Sequence, residues 1–84
     1  MKIKLLKANC FEIQIKHIKI LVSYETPIAV SNGQEILMIG EKISKTTEKH
    51  EDIWLKWLEP SEQKKTYISR EVLSVWIESN VGLI

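Results

Sequence analysis

The apolar residues near the start of the chain change parity at one point. Phe11, Ile13 and Ile15 alternate with Glu12, Gln14 and Lys16, after which Ile18, Ile20, Val22 and Tyr24 occupy even positions. Period two is the pattern of a strand with one buried face, and a strand that changes parity changes the face it presents. A tight hairpin at Lys16-His17 resolves this. It sets Ile15 opposite Ile18, Ile13 opposite Ile20 and Phe11 opposite Val22, so that all six side chains share one face. Neither turn residue is Gly or Asn, the types such turns favour, which leaves a bulge at the same place as the alternative.

Thr26-Pro27 then interrupts the alternation, and a residue without an amide donor marks a bend or an edge. Ile28-Ala29-Val30 resumes as a strand. Asn32-Gly33 is the strongest hairpin signal in the chain, since both central positions of a type I′ turn need positive φ. Glu35 to Ile39 returns antiparallel, and its unbroken run Ile36-Leu37-Met38-Ile39 implies cover on both faces. The expectation is about four antiparallel strands between residues 9 and 43.

Two helical runs follow, near residues 46–58 and 69–79. Ser44 or Thr46 can cap the first, with Glu48, Glu51 and Asp52 early in it, where the helix dipole favours carboxylates. His50, Ile53, Trp54, Trp57 and Leu58 lie on one side, and Pro60 marks the end. Ser61 to Lys65 reads as a polar loop, and Tyr67-Ile68 as a short extended piece. Ser69 caps the second run, in which Val72, Leu73, Trp76 and Ile77 form the apolar face; Asn80 and Gly82 close it. The fold class is α+β, an antiparallel β-meander of about four strands followed by two helices packed on the sheet. At 84 residues this is one domain with one small core. Ile13, Ile20, Val22, Trp54, Leu58, Leu73 and Trp76 are its expected members.

Composition narrows the functional classes. The net charge is +1, but residues 1–24 hold five lysines against Glu12, or +4, leaving −3 for the rest. Such asymmetry marks either a nucleic-acid surface or a strand whose lysines blunt edge pairing, and the near-neutral total favours the second. Cys10 is the single cysteine, which excludes an internal disulfide and a cysteine metal cluster. Lysines interrupt the start of the chain, and no apolar run approaches a membrane span. The expectation is a cytoplasmic protein with no membrane partner.

Ser44 to His50 is the most distinctive stretch. Lys45, Thr46, Thr47 and Lys49 stand at a helix start, where free amides can hold a phosphate or carboxylate, yet Glu48, Glu51 and Asp52 would repel one. The competing reading makes the hydroxyls caps and packs His50 under the sheet with one nitrogen bonded. His17 and His50 are far apart and lack a fixed carboxylate spacing, a weak metal signal; no metal or cofactor is expected. A Cys10–His50 dyad would need the two residues to meet in space and lacks a named orienting group, so the chain reads as a non-enzyme. Three tryptophans are heavy for this length. Core packing is their default, with Trp57 the best placed for an interface.

The run Ser23-Tyr24-Glu25-Thr26-Pro27-Ile28-Ala29, followed by Ser44-Lys45-Thr46-Thr47-Glu48-Lys49-His50 and Trp54-Leu55, resembles a family of small proteins of bacteriophages and other mobile elements. Its pattern is Ser-Tyr-x-Thr-Pro-[Val/Ile]-Ala, a hairpin, Ser-x-Thr-Thr-x-Lys-His and an aromatic-rich helix. The likeness spans roughly residues 9 to 58 and brings no known activity. It implies that Tyr24 offers its hydroxyl near the Thr26-Pro27 bend, and that the two blocks meet either as a knot of hydrogen bonds or as a shared site. Tyr24, Lys45, Thr46, Thr47, Lys49, His50 and Trp57 are the candidate binding residues. The leading functional expectation is a non-catalytic module that binds a host or phage protein, including inhibition of a host defence protein. The alternative is a nucleic-acid-binding module using the basic first strands. A small core with surplus tryptophan also suggests a homo-oligomer, most simply a two-fold dimer.

Overall fold

A computed structural model describes residues 1–40, 44–58 and 64–81; the expectations at Pro60, Ser61 and Gly82 fall outside them. Six strands and two helices follow in the order β1 (Lys2–Lys7), β2 (Cys10–Ile15), β3 (Ile18–Ser23), β4 (Thr26–Ser31), β5 (Glu35–Ile39), α1 (Lys45–Trp57), β6 (Lys64–Ile68) and α2 (Arg70–Val81). All six strands form one sheet in sequence order. β1 to β5 are antiparallel neighbours, while β6 runs parallel to β5. A parallel pair needs a crossover, and α1 supplies it.

The Lys16-His17 hairpin forms with the expected register, Ile15 opposite Ile18, Ile13 opposite Ile20 and Phe11 opposite Val22. Lys16 takes positive φ, 56°, in place of a glycine. The four-strand expectation falls short at both edges. Lys2–Lys7 forms a full strand on β2, and the extended piece at Tyr67-Ile68 is the end of β6, which already begins at Lys64. Two turns also differ. The bend expected at Thr26-Pro27 is a hairpin one step earlier, with Tyr24 and Glu25 both at positive φ, 49° and 67°, the sign a type I′ turn requires. Pro27 sits inside β4 opposite Val22, beside a bulge that leaves Ile28 as the extra residue; a bulge is one of the few places a sheet accepts proline. At Asn32-Gly33 only Gly33 has positive φ, 94°. There the Asn32 Oδ1 accepts from the amides of Gln34 and Glu35, both at 2.9 Å, so the side chain makes the turn.

The pleat sorts side chains onto two faces. Cys10 pairs with Ser23 and Glu12 with Leu21, and on this face Ser23 and Glu12 bond to residues of α1. The other face carries Phe11, Ile13, Ile20, Val22, Val30 and Leu37, linked by register across β2 to β5. α2 packs against β4 and β5, and with α1 on the first face, its buried Leu73 and Ile77 close the second. The unbroken run Ile36 to Ile39 is buried throughout, as double cover demands. Ile20, Val22, Trp54, Leu58 and Leu73 are core residues. Ile13 and Trp76 are not: both are only partly buried against the core. α2 reaches over β4 and β5, too far along the sheet to cover Ile13, and Trp76 lies on its flank beside the Leu73–Ile77 seam.

Among the described residues no helix is long and apolar enough to cross a membrane.

Candidate functional site

The two sequence blocks meet where the β3–β4 turn faces the start of α1. Ser44 is the N-cap of that helix, its Oγ accepting from the Thr47 amide at 3.1 Å. The same hydroxyl donates to Thr47 Oγ1 at 3.0 Å. Ser23 Oγ lies 3.5 Å from Thr47 Oγ1 and 2.7 Å from His50 Nδ1. The Tyr24 ring rests on the His50 ring with centroids 5.6 Å apart and planes tilted by 30°. A chain of polar contacts thus runs from helix cap to strand, and the backbone extends it, since the Tyr24 amide donates to the Asn9 carbonyl at 3.0 Å. Positive φ at a tyrosine is a sterically costly choice, and here it lays the ring over His50.

His50 is 2% exposed. Burial, and then the nearby Lys7 ammonium, hold its imidazole below the ordinary histidine range, so it stays neutral and either donates to Ser23 or accepts from it. A serine bonded to an imidazole is a pairing used in nucleophilic catalysis, but Ser23, like His50, is 2% exposed and the pair lies against α1. The Cys10–His50 dyad does not form: Cys10 is opposite Ser23 in the β2–β3 ladder, and Ser23 takes the Nδ1. Burial raises the Cys10 thiol, with Lys7 opposing, which makes it a poor nucleophile. Among the described residues no His, Cys, Asp and Glu group could hold a metal ion.

A cleft of about 270 Å³ opens above this network, lined by Ser23, Tyr24, Thr26, Ile28, Ser44, Thr47 and Arg70. Its lining combines hydroxyls with the cationic Arg70, while carboxylates stand on the adjoining first turns of α1. The Glu51 carboxyl is pushed up to about 7, first by burial and then by Asp52 and Glu48. Asp52 and Glu48, the smaller causes of that shift after burial, would also oppose a phosphate at this helix start. Lys45, Thr46 and Lys49 point to solvent. Thr46 is therefore not the cap, and the hydroxyl knot ties α1 to β3.

Farther along α1, Trp54 Nε1 donates to Glu12 Oε1 at 2.9 Å, and Gln14 Nε2 donates to the other carboxylate oxygen at 2.6 Å. Glu12 is only 4% exposed. Trp57 stays 58% exposed, with Lys4 Nζ 4.1 Å from its ring centroid, a cation–π contact. His17 is exposed in its turn.

The surface that sequence reasoning missed lies on the opposite face of β1 and β2. Ile3 and Leu5 are 63% and 72% exposed. They register with Ile13 and Phe11, both only partly buried, and Ile15 continues the strip. The signal was available in Lys2-Ile3-Lys4-Leu5, a period-two pattern at the very start.

A profile of the family of unknown function DUF8033 matches residues 2–73. The chain belongs to the DUF8033 family. The match begins with β1 and ends in the first turns of α2, so it takes in the whole sheet and α1, well beyond the two blocks. No curated protein and no solved structure matches the chain.

Proposed function

We propose that this DUF8033 protein is a non-catalytic protein-binding module and that the open half of its sheet, Ile3, Leu5, Phe11, Ile13 and Ile15, is the docking surface. One observation carries the reading: two aliphatic side chains, 63% and 72% exposed, lie on the face that α2 covers chiefly over β4 and β5. Burying one such side chain stabilises by about 1.5–3 kcal/mol, and contiguous exposed apolar strips mark interaction sites. Lys2 and Lys4 alternate with Ile3 and Leu5 along the edge strand β1, so a partner that reaches over this edge meets positive charge beside the strip and is selected for acidic character. The likeness to mobile-element proteins supports an accessory role, covering a surface of a host or phage protein, a host defence protein included. We place this activity in the host cytosol, where the thiol of Cys10 stays reduced.

Capture from host lysate by the wild-type chain and by the Ile3→Ser/Leu5→Ser variant tests the proposal. The variant is expected to stay folded and lose a partner that the wild type retains. Equal capture by both would overturn it. Nucleic-acid binding through the same lysines is the second reading, favoured by the +4 charge of residues 1–24. A steep fall in affinity for nonspecific DNA or RNA as salt rises would support it.

A further inference from the structure

We infer that the free edge of β1 takes up an extended segment of the partner protein as an added strand, and that this segment alternates acidic with apolar side chains. The inference rests on the docking reading above and specifies its geometry. Among the described residues β1 ends the sheet, with β2 as its only neighbour in the strand order. Its outward amides and carbonyls therefore offer a ladder, and strand addition uses such a ladder for affinity and the alternating side chains for specificity. β1 sorts its side chains by chemistry. Lys4 pairs with Glu12 and lies over Trp57, on the α1 side, and Lys2 shares its parity. Ile3 and Leu5 face the open side. Residues directly opposite one another share a face, so an added strand meets lysines with one set of side chains and the apolar strip with the other.

Charge placement also separates this occupant from its rivals. A second copy paired through β1 about a two-fold axis would set lysine-bearing positions against lysine-bearing positions, which is destabilising. The sheet's other edge, β6, does not sort its charge: Lys64 and Lys65 are adjacent and so fall on opposite faces. Lysines on an edge ordinarily serve to block pairing, but blocking requires no aliphatic residues exposed behind them. The bulge after Leu5 limits regular pairing to Lys2 through Leu5, so the docked segment is short.

The test titrates the isotopically labelled full chain with a peptide of alternating glutamate and valine, about eight residues long, enough to span β1 at a strand's rise per residue. A peptide with lysine for glutamate is the control. The expected result is slowed exchange of outward β1 amides, by about tenfold or more, with shifts at the Ile3 and Leu5 side chains. The lysine peptide should have no effect on the wild type but should bind Lys2→Glu/Lys4→Glu. Shifts at Ile3 and Leu5 without β1 amide protection would overturn strand addition while leaving the docking face intact. Equal binding of both peptides would overturn the charge rule. No response to millimolar glutamate peptide would overturn the inference, and the Ile3→Ser/Leu5→Ser capture experiment would then judge the docking face separately. Protection of β1 that grows with protein concentration alone would assign the edge to a second copy.

Discussion

The two faces of the sheet are closed in different ways. Under α1 the contact is seamed with polar groups: Glu12, Ser23, Ser31 and His50 are the buried polar residues among those described, the strand members share the α1 side by register, and His50 belongs to α1 itself. Under α2 the buried partners Ile20, Val30, Leu37, Leu73 and Ile77 are all aliphatic. Apolar packing supplies stabilisation in proportion to area and tolerates sliding. A buried hydrogen bond contributes less on balance but is expensive to break, so it fixes position. α1 is thus pinned in place by Trp54–Glu12 and His50–Ser23, while the buried seam of α2, Leu73 and Ile77, is held by apolar area. The dry face also carries more apolar surface than α2 can cover, and the surplus is the strip on β1 and β2.

The sharpest probe of this contrast removes a donor without removing volume. Trp54→Ala is expected to destabilise by about 3–5 kcal/mol from the lost packing alone, close to the whole stability of so small a domain. Trp54→Phe keeps most of the ring, yet should still destabilise by about 1–3 kcal/mol because the Glu12 carboxylate loses a donor. Leu73→Ala on the dry face should fall between, at about 2–5 kcal/mol, whereas Leu73→Met should be mild. Urea unfolding of the four variants checks the ranking; a neutral Trp54→Phe would show that the indole N–H does not anchor α1.

Next comes the Ser23–His50 contact. Ser23→Ala should lower stability by about 1–3 kcal/mol by stranding a buried nitrogen. In a double-mutant cycle with His50→Phe the combined loss should be smaller than the sum of the single losses. Additive losses would mean that the 2.7 Å contact carries no coupling.

The hairpin at Lys16-His17 was legible because parity is a local property of the sequence, and its pairings followed from it residue by residue. Ser69 was legible as a cap for the same reason, and its Oγ accepts from the Val72 amide at 3.2 Å. β6 was not, since Lys64-Lys65-Thr66 lacks apolar alternation and its place beside β5 is decided by the crossover. The direction of the face was the subtler failure. Ile13 and Phe11 share a face with Ile20 as expected, but nothing local states how far along the sheet a later helix reaches. Glu12, which alternates with the apolar residues of β2, is buried because Trp54 arrives from α1 to bond it, and His50 does the same for Ser23. The convergence of the two blocks was anticipated, as was a reading with the hydroxyls as caps and His50 bonded under the sheet; that Ser23 is the group bonding His50 Nδ1 was not.

pH dependence separates the faces further, because both shifted groups of α1 sit on its side. His50 is held below its unfolded value, so its contribution is complete above pH of about 6.5 and is lost as pH falls below that. Glu51 moves the other way: with its carboxyl raised from 4.5 to about 7, its contribution is present below 4.5 and is lost as pH rises to about 7. Glu51→Gln should raise the melting temperature at pH values above 7 more than at pH values near 4.5, and His50→Phe should flatten the acid limb. Identical pH profiles in the wild type and in both variants would remove these groups from the account. A smaller effect belongs to the cap: Ser44→Ala should lower stability by about 0.5–2 kcal/mol, while Thr46→Ala should change little.

The smallest expected effect is the most informative. If the strip on β1 and β2 is a docking surface and not a structural part of the core, thermal unfolding of Ile3→Ser/Leu5→Ser should match the wild type, with a melting temperature within a few tenths of a kcal/mol equivalent, about the scale of an ordinary surface substitution. A fall comparable to that of Leu73→Ala would contradict the account, because it would place Ile3 and Leu5 in the core that α2 closes.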